Sequence, residues 1–117
     1  FYPNYFRWFD RCFHELLQAR GGGHRALCDR LASVGLGLMD AGAMFRAPVQ
    51  EGQAIRLELR LEHWGTRSFR VGYTGWRGET LCVEGHELRG VFIRKDGRMA
   101  AGPTAPLREA LSLGAAL

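Results

Sequence analysis

The sequence predicts an α+β fold in which one long helix is wrapped by a curved antiparallel sheet. Three observations carry that expectation: apolar residues spaced by three and four from Pro3 to Gln18, alternation of apolar and charged residues from Ile55 to Glu62, and an Asp-Gly turn at Asp96-Gly97 between extended runs. A half-buried sheet must cover one face, and the long helix is the only large cover the pattern offers. The 117 residues are expected to form a single domain, 1–117. A chain of that length buries roughly two thirds of the surface it exposes when unfolded, so neither disulfides nor a cofactor is needed for folding.

The helix comes first. The opening "FYPNYFRWFD" holds six aromatic side chains in ten residues. Phe6, Phe9, Phe13 and Leu16, flanked by Tyr5, Trp8, Cys12 and Leu17, make a wide apolar stripe. Pro3 suits the first helical position, where the missing N–H costs nothing, and Gly21-Gly22-Gly23 ends the helix. A glycine triplet cradles phosphate between a strand and a helix start; this one follows a helix, so it reads as terminator and linker. His24 to Ser33 adds a short helix with Leu27 and Leu31 on one face.

Strands follow. Gly35 to Val49 reads as a strand ending at Pro48, and Ile55, Leu57, Leu59 and Leu61 alternate with Arg56, Glu58, Arg60 and Glu62. Phe69, Val71 and Tyr73 repeat the alternation, Trp76-Arg77-Gly78-Glu79 turns, and an extended run goes from Thr80 to Arg94. Lys95-Asp96-Gly97-Arg98 is a hairpin, and Pro106 to Leu111 closes the chain as a short helix. The sum is four or five antiparallel strands around one helix, the hotdog arrangement. Gly72, Gly75 and Gly78 mark bulges or close backbone approaches.

Composition narrows the function. With 46% hydrophobic and 24% charged residues the chain has the make-up of an ordinary globular protein, and no apolar run approaches the ~20 residues of a membrane helix. A net charge of +4 favours anionic partners, but Arg and Lys are spread along the chain with no basic block, which argues against nucleic acid. Cys12, Cys28 and Cys82 are odd in number and never spaced as Cys-x-x-Cys, against a disulfide framework and against zinc; a reducing cytoplasm is the simplest compartment. His14-Glu15-Leu16-Leu17-Gln18 and His86-Glu87-Leu88-Arg89-Gly90 begin like a zinc-protease motif but lack its second histidine, so no metal is expected.

Two places invite chemistry. Asp10 lies between the apolar stripe and Cys12, at the edge of the buried face. It is either a solvated carboxylate paired with Arg7 or Arg11, or a polar group that meets a substrate hydroxyl or activates water, with His14 one turn on as its support. The helix start is the other: its first amides lack internal partners and carry the positive end of the helix dipole, so the amide of Tyr2 is a candidate oxyanion donor.

Tyr2-Pro3-Asn4-Tyr5-Phe6-Arg7-Trp8-Phe9-Asp10 resembles the helix start of the 4-hydroxybenzoyl-CoA thioesterase family of hotdog acyl-CoA thioesterases, where a Tyr-Pro-x-Tyr-x-x-Trp-x-Asp pattern recurs. His63-Trp64-Gly65-Thr66-Arg67-Ser68-Phe69 and Phe92-Ile93-Arg94-Lys95-Asp96-Gly97-Arg98 resemble the family's basic strand start and last hairpin, so the likeness spans nearly the whole chain. The resemblance implies an acyl-CoA thioesterase acting on 4-hydroxybenzoyl-CoA or a related aromatic acyl-CoA, with a non-hydrolytic acyl-thioester-binding protein as the alternative. It implies a catalytic Asp upstream of Phe1, at the end of a first strand that precedes this chain. It further implies a Tyr2 amide that polarises the thioester oxygen, an Asp10 that receives the acyl hydroxyl, and contacts from Arg67 and Ser68 to the phosphates of CoA. Around Val34-Gly35-Leu36-Gly37, which lines the acyl pocket in the family, this chain carries Leu36 where a smaller polar residue can occur. A homodimer or homotetramer with no metal or organic cofactor is the implied assembly.

Overall fold

The computed structural model describes residues 2–50 and 52–116, with side chains placed for 5–50 and 52–112. In chain order the elements are α1 (Tyr2–Gly21), α2 (His24–Leu31), β1 (Gly35–Phe45), β2 (Arg56–Trp64), β3 (Phe69–Arg77), β4 (Thr80–Lys95), β5 (Arg98–Gly102) and α3 (Ala105–Ala116). The strands form one antiparallel sheet in the order β1-β4-β3-β2. β5 folds back on the far end of β4, where Val91 pairs with Gly102 on one side and with Leu36 on the other. One 16-residue strand therefore has three partners.

Register decides which side chains meet the helix. Phe69 lies opposite Arg89, Val71 opposite Glu87, Tyr73 opposite Gly85 and Gly75 opposite Val83, and Leu57, Leu59 and Leu61 of β2 continue the same face. Because side chains alternate along a strand, that parity commits positions 83, 85, 87, 89 and 91 of β4 to the interior together. Arg60, Glu62, Arg70 and Glu84 fall on the opposite, exposed face.

On α1 the buried row is Tyr5, Phe9, Phe13 and Leu17. The stripe expected through Phe6 and Leu16 is thus displaced: Phe6 is exposed and Leu16 half-buried, because the i, i+4 ridge is the one that lies on the sheet. Phe9 stacks on Tyr73 with ring centroids 4.4 Å apart and planes 9° from parallel. Gly85 makes room for that ring, since a Cβ there would stand 2.3 Å from Phe9 Cε2.

The cover is larger than one helix. α3 runs on to Ala116, beyond the expected Leu111, and buries Leu107, Ala110 and Leu111 in the same core; α2 contributes Leu27. β1 stops at Phe45, short of the expected Val49, because the next two amides, of Arg46 and Ala47, both donate to the Cys82 carbonyl and close the ladder before Pro48. β3 runs through Trp76 and Arg77, so the turn expected over Trp76–Glu79 shrinks to Gly78-Glu79, with Gly78 at φ 59°. Asp96 and Gly97 sit at φ 52° and 76°, the pair of positive angles that a tight hairpin needs.

Phe9 tests this packing. Phe9→Ala should cost roughly 3–5 kcal/mol in urea unfolding, the usual price of deleting a fully buried aromatic ring. A loss below about 1 kcal/mol would mean that the ring does not anchor α1 to the sheet.

Candidate functional site

The same parity that buries Val83 and Val91 carries two charges inside. Glu87 and Arg89 have side chains only 3% and 4% exposed, and they pair through two parallel hydrogen bonds, Arg89 Nε to Glu87 Oε1 at 3.0 Å and Nη2 to Oε2 at 3.1 Å. The Tyr73 hydroxyl donates to Glu87 Oε1 at 2.6 Å, Arg89 Nη1 donates to the Leu36 carbonyl at 3.2 Å, and the guanidinium carbon lies 4.2 Å from the centroid of the Phe13 ring. Burying an ion costs several kcal/mol, offset only where geometry and remaining hydrogen bonds are complete. They are complete here: among the described residues no buried side-chain polar atom lacks a partner.

The network surfaces at one point. Arg89 Nη2 also donates to Asp10 Oδ1 at 2.9 Å, and Asp10 is 56% exposed. His14 Nε2 lies 3.6 Å from the same oxygen. Both contacts fall on Oδ1, and among the described residues Oδ2 makes no side-chain hydrogen bond or ion pair. The sequence expectation of Arg7 or Arg11 as partner is corrected: Asp10 pairs with Arg89 and His14, while Arg11 pairs with Glu15 at 3.7 Å.

Electrostatics fix the protonation states inside. Burial and then the hydrogen bond to Glu87 push the Tyr73 phenol far above its ordinary value, so it remains a neutral donor. Burial works against the Arg89 cation, but the hydrogen bond and charge of Glu87, followed by Asp10, outweigh it and raise its pKa. Cys12 and Cys28 are held as thiols, each raised first by burial. Neither is poised as a nucleophile.

His24 anchors the rim. Its Nε2 accepts the Leu36 amide at 3.1 Å, so both backbone groups of Leu36 are held by side chains around the site. Its ring lies 5.4 Å from that of His14, and burial first, then the charges of His14 and Arg89, lower its pKa.

The other expected residues stand apart. Arg67 and Ser68 occupy the turn between β2 and β3, where Arg67 Nη1 donates to the Ala101 carbonyl at 2.8 Å and the Ser68 carbonyl accepts the Gly65 amide at 2.8 Å. They make no hydrogen bond or ion pair with Asp10 or its partners. Tyr2 begins α1, but the surroundings of its amide lie outside the described residues, as does the Asp expected upstream of Phe1. In the sequence Glu87 and Arg89 stand out only as part of an incomplete zinc-protease motif, although the alternation through Val83 and Val91 assigns them to the buried face.

Elsewhere, a groove of about 500 Å³ on the outer sheet face is lined by Met44, Arg60, Glu62, Arg70, Glu84 and His86. Its charges satisfy one another, Arg70 with Glu62 at 3.1 Å and Arg46 with Glu84 at 2.8 Å. A hollow of about 180 Å³ lies between Trp8, Gln53, Ile55 and Leu57. Among the described residues no group of three or more His, Cys, Asp or Glu is arranged to hold a metal ion, and no helix is long and apolar enough to cross a membrane.

A five-stranded antiparallel sheet curved around a long helix defines the hotdog class, and solved structures share it. A gentisyl-coenzyme A thioesterase superposes with a TM-score of 0.74 at 24% identity, over 96% of this chain and 85% of the other. The 4-hydroxybenzoyl CoA thioesterase from Pseudomonas sp. strain CBS-3 superposes at 0.76 and 20% identity, over 94% and 84%. A 1,4-dihydroxy-2-naphthoyl-CoA thioesterase from Synechocystis does so at 0.76 and 15%, over 96% and 82%. The model of the thioesterase superfamily matches residues 1–84, and the chain belongs to that family. No curated protein matches it by sequence.

Two measurements probe the network. Glu87→Ala strands a buried cation and should cost roughly 3–5 kcal/mol in chemical unfolding, whereas replacing the pair together by Leu and Met should cost clearly less; equal losses would mean that the pair is not desolvated. His24 gives a pH signature. Its folded pKa lies below the unfolded value, so the unfolded chain takes up the proton first: stability is full above about pH 6.5 and falls as pH drops toward the folded pKa. His24→Gln should flatten that part of a Tm-against-pH curve, and an unchanged slope would assign the effect to other groups.

Proposed function

We propose that this protein is an acyl-CoA thioesterase that hydrolyses an aromatic acyl-CoA carrying a ring hydroxyl, 4-hydroxybenzoyl-CoA or a related compound, to the free acid and CoA. The observation that carries the reading is Asp10: a half-exposed carboxylate at the mouth of a buried ion network, held through one oxygen and with the other unengaged by the described residues. A fixed carboxylate oxygen is an acceptor suited to a phenolic hydroxyl and offers nothing to an unsubstituted ring. The neighbours add support, since three of them are named for gentisyl, 4-hydroxybenzoyl and 1,4-dihydroxy-2-naphthoyl thioesters, all hydroxylated aromatics.

In this reading the thioester carbonyl lies at the start of α1, where the Tyr2 amide and the helix dipole stabilise the negative charge that develops on its oxygen. The Asp proposed upstream of Phe1 either activates the attacking water or itself attacks the carbonyl; the C–S bond breaks and CoA leaves as its thiol, and in the second case water then cleaves the resulting mixed anhydride to release the acid and restore the Asp. Arg67 and Ser68 face the phosphates of CoA. The reaction consumes only water and needs no metal or organic cofactor. β1 ends the sheet as an open edge with Leu38, Met39 and Met44 exposed, which suits pairing with a second copy in a homodimer or a homotetramer. The three free cysteines suit a reducing cytoplasm.

A second reading, a domain that binds acyl thioesters without cleaving them, is favoured by one observation: the exposed carboxylate of the site, Asp10, is tied to a cation instead of being poised as a base. Thiol release from a panel of aromatic and straight-chain acyl-CoAs by the complete protein separates the two. Asp10→Asn should lower kcat/KM for 4-hydroxybenzoyl-CoA roughly 10- to 100-fold more than for benzoyl-CoA, as a charged hydrogen bond of about 1.5–3 kcal/mol requires. Equal losses would remove the hydroxyl-binding role, and tight binding without thiol release would favour the second reading.

A further inference from the structure

We propose that Arg89 is the positioning residue that gives the site its selectivity for a hydroxyl donor, with Glu87 and Tyr73 as its buried mounting. The proposal rests on the reading of Asp10 given above. A half-exposed aspartate on a helix ordinarily samples several rotamers. Asp10 has its Oδ1 fixed by Arg89 Nη2 at 2.9 Å, and Arg89 is itself held by the two bonds of Glu87, by the Leu36 carbonyl and by the face of Phe13. Its guanidinium cannot follow the carboxylate outward. The direction of Oδ2 is therefore set in the core, by side chains that never meet substrate.

Charge makes the mounting selective. Arg89 alone would neutralise Asp10 in a simple ion pair and weaken it as an acceptor. Glu87 already balances Arg89 through its two parallel bonds, so Asp10 adds a second negative charge and the trio carries a formal −1. An incoming hydroxyl is attracted to that oxygen, whereas a carboxylate at the same ring position is repelled. His14, 3.6 Å away, is the other side chain that meets the same Asp10 oxygen.

The test is a ratio that a general structural defect would not move, because such a defect lowers both terms alike. In the complete protein, kcat/KM for 4-hydroxybenzoyl-CoA is divided by that for benzoyl-CoA. Arg89→Gln should shrink the ratio at least tenfold, adding Asp10→Asn should shrink it no further, and Arg89→Lys should restore part of it. If Asp10→Asn collapses the ratio while Arg89→Gln leaves it intact, the positioning role is overturned and the hydroxyl-binding role of Asp10 stands. If neither moves it, the hydroxyl-binding role itself fails. Should Arg89→Gln not fold, the wild-type protein supplies the readout through the 15N-labelled Nε–H resonance of Arg89. That resonance should shift with the non-hydrolysable 4-hydroxyphenacyl-CoA and stay in place with phenacyl-CoA. Equal shifts, or none from bound ligand, would overturn the proposal, and failure of both analogues to bind would defeat the thioesterase reading on which it rests.

Discussion

Glu87 and Arg89 face the core, and that single fact constrains much of the structure around them. Two unit charges inside a core of Phe, Tyr, Leu and Val are tolerable only if each polar atom has a partner. Tyr73, Leu36 and Phe13 help to supply them. These partners come from β3, β1 and α1, so satisfying the pair also brings helix and sheet into one register. Asp10 is where the network meets solvent, and its geometry is inherited from the interior instead of being set by the surface around it.

Much of the fold was legible because the apolar pattern changes period at the right places. The alternation through Leu57, Leu59 and Leu61, the Asp96-Gly97 turn and the glycine terminator at Gly21 each correspond to an observed element. What the pattern hid was tertiary. Phe6 and Phe9 look equivalent on a helical wheel, and only the angle at which α1 crosses the sheet buries one and exposes the other. That α3 joins the core was hidden for a related reason, since Leu107, Ala110 and Leu111 are buried in the core shared with α1 and α2 and not by any strong local signal.

Asp10 and His14 could be picked out of the sequence as site residues, whereas Glu87 and Arg89 could not. Asp10 stood out as a carboxylate at the edge of an aromatic stripe, but its partner is 79 positions away in sequence, and no local spacing connects them. Glu87 and Arg89 sit in a run that reads as polar on both faces, because Glu84 and His86 outside alternate with Glu87 and Arg89 inside. Charged residues on the buried parity of a strand are the signal that was available, and they mark a place where a protein accepts an unfavourable burial. Membership of the thioesterase superfamily supplies the context in which that burial is read under the proposed function.

β4 has one further consequence. It pairs with β1 along one edge and with β3 and β5 along the other, so its amides cannot reach solvent by fraying from either side. Exchange of the amide protons around Glu87 and Arg89 with deuterium then requires the whole sheet to open, while the outward amides of β1 and β2 at the sheet margins exchange through local breathing. The molecule thus joins a slow, rigid central strand, the one that carries Glu87 and Arg89, to faster margins on either side, so the buried ion pair sits in the part of the sheet that is last to open.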